Sequence, residues 1–110
     1  MKEFKKHYPN GQLSYHYYEN DGKIHGEYKS WFRNGQLCIH TFYKNDEKHG
    51  EYKRWWNNGK LWEHTFYKNG EIHGEYKSWY YGGEPMYHRW YNNGKDVTER
   101  KLLLDKIQAL

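Results

Sequence analysis

The sequence has only one cysteine and no long apolar run among its 110 residues. Cys38 has no second cysteine to pair with, so a disulfide framework and a cysteine-based metal cluster are both excluded. No segment approaches the ~20 apolar residues that a membrane-spanning helix needs. The residues after Met1 are charged and lead into no apolar stretch, so we expect no signal peptide. These absences predict a protein of a reducing compartment without a transmembrane segment.

Aliphatic residues are scarce as well, and aromatic residues take their place. Hydrophobic residues make up 35% of the chain, and most of them are the 13 tyrosines, six tryptophans and four phenylalanines. A thick aliphatic core is therefore excluded, but large rings with polar edges can stabilise a thin structure whose faces are wet. The net charge of +4 is small, and lysines alternate with glutamates instead of forming the basic block of a nucleic-acid or lipid surface.

One heptapeptide recurs three times at a constant interval. The sequence His-Gly-Glu-Tyr-Lys-x-Trp begins at residues 25, 49 and 73, which are 24 residues apart, and four units of this length cover residues 1–96. A fixed period of this size predicts a repeat protein, in which each unit buries its apolar side against its neighbours. Because every unit copies the same side chains, such a chain builds a surface more readily than a single catalytic pocket.

Turn dipeptides recur with the same period. One series is Asn10-Gly11, Asn34-Gly35, Asn58-Gly59 and Gly82-Gly83, and the other is Asp21-Gly22, Asn45-Asp46, Asn69-Gly70 and Asn93-Gly94. Asn-Gly between alternating segments predicts two-residue type I′ turns, in which both central residues have positive φ. Gly11, Gly35, Gly59 and Gly83 are thus predicted structural turn residues. The spacing predicts an all-β, single-layer antiparallel meander of about eight strands near residues 3–8, 13–19, 24–32, 37–43, 48–56, 61–67, 72–80 and 86–91.

The turns also predict which side chains share a face. Two-residue loops pair Lys29 with His40, Trp31 with Cys38 and His40 with Glu51, which gives one face a Lys–His–Glu centre in each unit. That face is flanked on one side by Trp31, Trp55, Trp62 and Trp79 and on the other by Tyr18, Phe42 and Phe66. The opposite face carries Tyr28, Phe32, Leu37, Ile39 and Tyr43, with Tyr52, Trp56, Leu61, Tyr67 and Tyr76 at matching positions. This second face is more apolar and is the predicted core.

The pattern changes after Asn93-Gly94. Asp96, followed three residues later by Glu99, predicts a capped helix start, and an apolar stripe at helical spacing follows at Leu103, Leu104, Ile107 and Leu110. We therefore divide the chain into a repeat domain at residues 1–97 and a C-terminal amphipathic helix at residues 98–110. The helix is predicted to cap the edge of the last strand, and a dimerisation helix is the alternative.

The repeated motif resembles a known family. Gly-Glu-Tyr-Lys-x-Trp-x-x-Asn-Gly-x-Leu, followed by Tyr-Lys-Asn-Gly-x-Ile-His-Gly, is similar to the MORN repeat, and closest to the variant found in bacterial and large-virus proteins. The resemblance covers about residues 1–97 and implies an elongated single-layer sheet of hairpins. It also implies an adaptor that organises membrane-associated or cytoskeletal assemblies, binds proteins and in some members binds acidic lipids. His-Gly-Glu-Tyr replaces the Tyr-x-Gly and Gly-x-Gly elements of the eukaryotic repeat, which weakens the transfer of lipid binding.

The polar residues do not form a chemical centre. His16, His40, His64 and His88 fall on strands two apart, so ~9.5 Å separates their backbones, whereas ligands of one zinc ion lie ~2.0–2.1 Å from it. Ser14, Ser30, Ser78 and Cys38 occupy positions that other units fill with different residues, and no unit combines a nucleophile with a base and an oxyanion donor. We predict no enzyme activity, no metal and no cofactor. Glutamates interrupt any basic track, so nucleic acid is not an expected partner.

The predicted function is that of a non-enzymatic repeat scaffold that recognises a protein partner through an aromatic-rich sheet face or groove. The predicted partner-binding surface consists of Trp31, Trp55, Trp62, Trp79, Phe42 and Phe66, because partly exposed tryptophans beside polar groups are typical interface anchors. One alternative is a structural component of a larger assembly, such as a virion or cytoskeletal complex, that self-associates through sheet edges and the C-terminal helix. A weaker alternative is acidic-lipid binding or an antitoxin-like role. The expected location is the cytoplasm, or the host cytoplasm or virion if the protein is viral.

Overall fold

Successive antiparallel hairpins form one open sheet in the computed structural model, which describes residues 1–110. The long strands are β1 (Lys2–His7), β2 (Leu13–Asn20), β4 (Gly26–Trp31), β5 (Leu37–Lys44), β7 (Gly50–Trp55), β8 (Leu61–Lys68), β10 (Gly74–Trp79) and β11 (Pro85–Asn92). Two-residue strands are β3 (Lys23–Ile24), β6 (Glu47–Lys48), β9 (Glu71–Ile72) and β12 (Lys95–Asp96), and helix α1 (Thr98–Gln108) follows. The whole molecule, helix included, measures 57 × 37 × 17 Å. The predicted all-β meander is confirmed.

The strand count is twelve rather than about eight because three predicted strands are divided and the short strand β12 was not predicted. The predicted strand 24–32, for example, is interrupted at His25 between β3 and β4. Gly26 follows with φ of 92°, a backbone conformation that side chains with a Cβ rarely adopt, and Gly50 and Gly74 repeat it at 112° and 105°. Each His-Gly step therefore bends the chain from a short strand into a long one. The eight long strands correspond to the eight predicted ones.

The two series of turns have different geometries. In the series that contains Asn45-Asp46, both central residues have positive φ, 50° and 70° at this turn, as two-residue type I′ turns require. In the series that contains Asn34-Gly35, only the glycine has positive φ, and the N–H of Phe32 donates to the carbonyl of Gln36 at 2.8 Å. The second series therefore forms three-residue loops with glycine in the left-handed region. The prediction of two-residue turns is wrong for this series.

A β-bulge follows each three-residue loop and corrects its effect on the register. Near the loop Trp31 pairs with Leu37, and not with Cys38 as predicted, whereas Ser30 already pairs with Ile39. Cys38 is the extra residue of the bulge, and Lys29 pairs with His40 as predicted. The error in loop length and the unpredicted bulge therefore cancel within a few residues.

A second register shift accompanies each His-Gly step. The N–H of His49 donates to the carbonyl of Phe42 at 2.9 Å, but beyond Gly50 the partner of His40 is Lys53 and not Glu51. The predicted pairing of His40 with Glu51 is thus wrong by two residues. Because side chains alternate with a period of two, this even shift by itself moves no side chain to the other face.

Consecutive units are joined by side chains as well as by strand pairing. The hydroxyl of Tyr8 donates to the carbonyl of Trp31 at 2.7 Å, and the hydroxyl of Thr41 donates to the carbonyl of Glu51 at 3.0 Å. The amide of Asn10 donates to the carbonyl of Arg33 at 3.2 Å. Later units repeat these bonds from Asn34, Trp56, Asn58 and Thr65. Each unit thus provides donors to backbone carbonyls of the unit that follows.

Few side chains are fully buried. They are Thr41, Tyr52, Thr65 and Ser78 in the sheet and Thr98 at the start of the helix. Thr41 pairs with Tyr28 across β4 and β5, and Thr65 pairs with Tyr52 across β7 and β8, so these threonines lie on the face with the tyrosines. The predicted core face is therefore the face that holds the buried side chains, although the core is only one layer of side chains thick.

Helix α1 begins where a ninth long strand would begin. Thr98 lies 24 residues after Gly74, in the position of the positive-φ glycines, and a threonine does not adopt that conformation readily. The carboxylate of Asp96 accepts the N–H of Thr98 at 2.9 Å, but the N-cap residue is Val97, whose side chain makes no capping bond, so the predicted capping box of Asp96 and Glu99 is wrong. The chain therefore turns into a helix at the site where earlier units continue as strand.

The predicted apolar stripe of α1 does not pack on the sheet. Leu103 and Ile107 are 59% and 55% exposed, and Leu102, Leu104 and Leu110 are exposed as well. The helix is tied to β11 at its first turn, where Val97 N–H donates to the carbonyl of Trp90 and the Thr98 hydroxyl accepts the N–H of Trp90. The prediction that the stripe covers the last strand is wrong, because the connection is too short to fold the helix back over the sheet.

Candidate interaction faces of the sheet

One face carries a continuous row of alternating lysines and histidines, and we call it the Lys–His face. Cross-strand pairing links Lys5, His16, Lys29, His40, Lys53, His64, Lys77 and His88 in that order across eight strands. Neighbouring strands lie ~4.8 Å apart, so the row crosses the whole sheet. In the predicted Lys–His–Glu centre the histidine lies between a lysine and a glutamate, whereas each internal histidine of the row lies between two lysines.

A glutamate bridges the lysine and the histidine of each hairpin. Glu27 Oε2 lies 2.8 Å from His40 Nε2 and 3.8 Å from Lys29 Nζ. The same contacts recur at Glu3, Glu51 and Glu75, with His–Glu distances of 3.1, 2.8 and 2.7 Å. The hydrogen bond from His88, together with Lys77, lowers the pKa of the Glu75 carboxyl. These half-exposed ion pairs set the charge pattern of the face and add little stability.

Aromatic and aliphatic side chains flank this charged centre. The rings of Phe42 and Phe66 lie 5.4 Å from those of His40 and His64, and Phe66 is 38% exposed. On the other flank, the alternation of side chains places Trp31, Trp55 and Trp79 beside the lysines. Leu37 and Leu61 pair with Trp31 and Trp55, so they lie on this face. The prediction that these two leucines lie on the opposite face is wrong. Five of the six predicted surface residues therefore share one face.

Trp62, the sixth predicted surface residue, lies on the opposite face, which we call the Tyr face after Tyr28, Tyr52 and Tyr76. Its ring stacks on that of Trp56 at 3.8 Å with an interplanar angle of 11°, and the Arg54 guanidinium carbon lies 3.6 Å from the Trp62 ring centroid. The prediction that Trp62 and Trp56 face opposite sides is wrong. Trp62 is the extra residue of the β8 bulge, and the residues of a bulge point to the same side as each other.

A group of oppositely charged residues lies on the Tyr face in the second half of the sheet. Glu63 Oε2 accepts the hydroxyl of Tyr76 at 2.6 Å, and Glu63 Oε1 lies 3.5 Å from Arg54 Nη1. Burial, followed by the bond to Glu63, raises the pKa of Tyr76, and burial raises that of Tyr52 to about 12. Arg89 borders the same region and makes no salt bridge there. Sequence reasoning missed this group, although Arg54, Glu63 and Arg89 each break the repeat consensus.

Two series of histidines are bonded, one to glutamates and the other to backbone groups. The Nε2 atoms of the four row histidines are all held by glutamates. In a second series, His49 and His73 accept backbone N–H groups of Asn69 and Asn93 at 3.3 and 3.0 Å, which fastens each turn to the His-Gly step at the start of its own unit. No serine hydroxyl or cysteine thiol is bonded to a histidine. No helix of the chain is both long enough and apolar enough to cross a membrane.

Comparison with known families identifies the two central units. Residues 24–45 and residues 48–69 each match the family model described as the MORN repeat variant. No curated protein matches the chain. The family resemblance predicted from the sequence is therefore confirmed over these two consecutive repeats.

Proposed function

From the premise that the chain contains repeats of the MORN variant, we propose that it is a non-catalytic scaffold that binds a protein partner through the Lys–His face. The proposed anchors are Trp31, Trp55, Trp79, Phe42 and Phe66. Trp62 no longer belongs to this set because it lies on the Tyr face. The free thiol of Cys38 supports a reducing compartment such as the cytoplasm as the place of action.

The observation that carries the proposal is the unequal burial of the two faces. All four fully buried residues of the sheet lie on the Tyr face, whereas the Lys–His face presents aromatic side chains that are half-buried or exposed. Aromatic anchors around polar groups that are already paired are characteristic of protein interfaces. Because the anchors recur in each unit, a partner with a matching repeat spacing can engage several units at once.

Substitutions on the two faces test the proposal. The partner is first isolated with tagged protein from its native cell, and its affinity for purified variants is then measured by calorimetry. We expect Trp55→Ala to weaken binding by ~2 kcal/mol or more, the scale of an interface hot spot, with the fold retained. The matched control is Tyr87→Ala, which removes an exposed ring of the Tyr face and should leave affinity unchanged. The reverse result would assign the partner to the Tyr face.

The exposed stripe of α1 favours a second candidate function, that of a structural component of an assembly. Leu103, Ile107 and their neighbours form an apolar surface of a kind that monomeric proteins rarely expose. On this proposal, the double variant Leu103→Asp, Ile107→Asp lowers the mass of assemblies seen by light scattering and leaves partner affinity intact. The third candidate, acidic-lipid binding, predicts flotation with anionic liposomes and none with neutral ones.

A further inference from the structure

The two outermost long strands of the sheet, β1 and β11, differ in the hydrogen-bonding groups that they offer to a further strand. Inside the sheet, each unit donates side-chain hydrogen bonds to carbonyls of the following unit, and it does so from conserved positions of the repeat. At the C-terminal end two of these donors are replaced. Gly82 occupies the place of Asn10, Asn34 and Asn58, and Arg89 occupies the place of Thr41 and Thr65.

The outer edge of β11 is also occupied in part. The N–H and carbonyl of Trp90 are bonded to Thr98 and Val97, and α1 continues from there as a helix. Of the three donors, an incoming strand would therefore find only the hydroxyl of Tyr80, which occupies the place of Tyr8. It would also find no free edge along the whole length of β11. The C-terminal end is built as a termination of the sheet.

The outer edge of β1 retains the features of an internal strand. The carbonyls of Glu51 and Trp31 accept bonds from the preceding unit, so their equivalents in β1, Glu3 and His7, direct their carbonyls away from β2. Lys5 lies between them and shares this direction. Its side chain is 49% exposed, against 36% for Lys29, and that of Glu3 is 51% exposed, against 42% for Glu27. The backbone carbonyls on the outer edge of β1 are thus placed like those that accept hydrogen bonds in internal strands, and β1 pairs only with β2.

We propose that this edge pairs with the β1 edge of a second copy of the chain, in a two-fold dimer centred on Phe4. Two different ends would join head to tail into a filament, but the C-terminal end is terminated, so only like ends remain, and like ends close as a dimer. This interface is separate from the Lys–His face, and the proposal does not depend on the proposed function.

The charges of β1 select the register. With Phe4 opposite Phe4 of the second copy, Glu3 of each chain lies opposite Lys5 of the other, and both are residues whose backbone groups point outward. The two pairs exchange four backbone hydrogen bonds, and two opposite-charge contacts form on the Lys–His face. The two Phe4 rings extend the stack that Phe4 makes with Tyr17 at 5.1 Å.

One contact opposes the dimer in this register. Lys2 of each chain lies opposite Lys6 of the other, and like charges directly across a strand pair are unfavourable. Lysines also protect sheet edges from unlimited pairing. The dimer is therefore a reversible one whose population rises with protein concentration.

Charge exchange at the proposed pair tests the inference. Sedimentation velocity over a concentration series measures the dimer dissociation constant of the wild type, of Glu3→Lys and of Lys5→Glu. Each single variant places like charges at both contacts and should raise the constant by about tenfold or more. An equimolar mixture of the two variants restores opposite charges at both contacts and should dimerise like the wild type. A misfolded variant could not be rescued in this way.

Two further variants complete the experiment. Lys6→Glu turns the unfavourable contact with Lys2 into a favourable one and should strengthen the dimer. Glu27→Lys is the control, because it makes the same charge change in β4, whose edges are already paired, and should leave the dimer constant unchanged. A wild-type protein that stays monomeric at all concentrations, or a mixture that fails to dimerise when the wild type does, overturns the proposal.

Discussion

The second unit, residues 25–48, and the third unit, residues 49–72, have the same backbone and the same polar face but different Tyr faces. In both, the glutamate lies 2.8 Å from its histidine. In both, two tyrosines meet edge to face, at 5.7 Å in the second unit and 5.6 Å in the third. The Tyr face differs at five positions, where Ser30, Phe32, Cys38, Ile39 and Lys48 of the second unit are replaced by Arg54, Trp56, Trp62, Glu63 and Ile72.

The difference shows that the two faces are under separate constraints. The Lys–His face, whose residues are the same in both units, keeps one spacing of charges and aromatic side chains along the sheet. Such a spacing suits the proposed partner that contacts several units. The Tyr face, whose residues differ between units, determines how well each unit is packed. Tyr52 of the third unit is the only fully buried aromatic residue, and it is 7% exposed. We therefore expect the third unit to contribute more stability than the second.

The largest expected effect comes from truncating the same tyrosine in each unit. Tyr52→Ala should lower the free energy of unfolding by ~3 kcal/mol, the cost of removing a buried aromatic side chain. Tyr28→Ala should cost clearly less, because Tyr28 is only half-buried. Chemical denaturation followed by circular dichroism measures both. Equal losses would show that the two units are equally packed and would break the comparison.

Conversion of the third unit's ring stack to the second unit's residues should have the next largest effect. The double variant Trp56→Phe, Trp62→Cys removes the stacked indoles and the ring beneath Arg54, and should cost ~2 kcal/mol of unfolding free energy. Cys38→Trp in the second unit is the control. It should add no stability, since Ser30 offers no guanidinium to stack on the new ring.

The dependence of the unfolding free energy on pH above neutrality should differ between the units, because their Tyr faces carry different charges. Tyr52 and Tyr76 have raised pKa values in the folded protein, Tyr52 near 12 against the usual 10.0. At a pH between the usual pKa of 10.0 and the raised pKa, each tyrosine keeps its proton in the folded chain and has lost it in the unfolded chain. The contribution of these tyrosines to stability is therefore fully present below pH ~10 and is lost as the pH rises above it.

Glu63→Ile removes the carboxylate that binds the hydroxyl of Tyr76, so the fall of stability above pH ~10 should become shallower. Ile39→Glu places a carboxylate at the matching position beside Tyr52 and should make the fall steeper. Unfolding free energies at a series of pH values give both slopes. Identical slopes for the two variants would contradict the role assigned to Glu63.

The smallest expected effect lies on the face that the two units share. Glu27→Gln and Glu51→Gln each weaken a Lys–Glu–His contact with the same exposure, 42% for either glutamate. Each should cost less than ~1 kcal/mol, and the two losses should be equal. Thermal unfolding of the two variants side by side checks the equality. A large difference would mean that the same Lys–Glu–His contact contributes unequally to stability in the two units.

Much of the fold follows from the sequence because its determinants are local and repeated. Asn-Gly and related pairs predict where the chain reverses, and period-two alternation predicts which side chains share a face. The face of His40 is correct even though its predicted partner Glu51 is not, since the shift at Gly50 is even. The position of Trp62 could not be predicted in the same way. It depends on a bulge that follows from the three-residue length of the Asn-Gly loops, and Asn-Gly is compatible with loops of two or three residues.

The candidate site was predicted less well than the fold. Periodicity draws attention to residues that repeat, so it found the tryptophans and missed Arg54 and Glu63, whose signal is that they do not repeat. The helix shows a related limit. Leu103 and Ile107 have the spacing of a packed stripe, but spacing alone does not say whether a surface lies within reach of the stripe.

The two-residue shift at each His-Gly step has a consequence for how such a chain can lengthen. Each unit adds two long strands, or roughly 9.6 Å of sheet, and returns the backbone with every side chain on its original face. An in-frame tandem duplication of the 24 codons of one unit would extend the Lys–His row without inverting any part of it. Had the shift been odd, every duplication would have exchanged the two faces. Array length is therefore a quantity that gene duplication can change in whole steps while the surface chemistry is inherited intact.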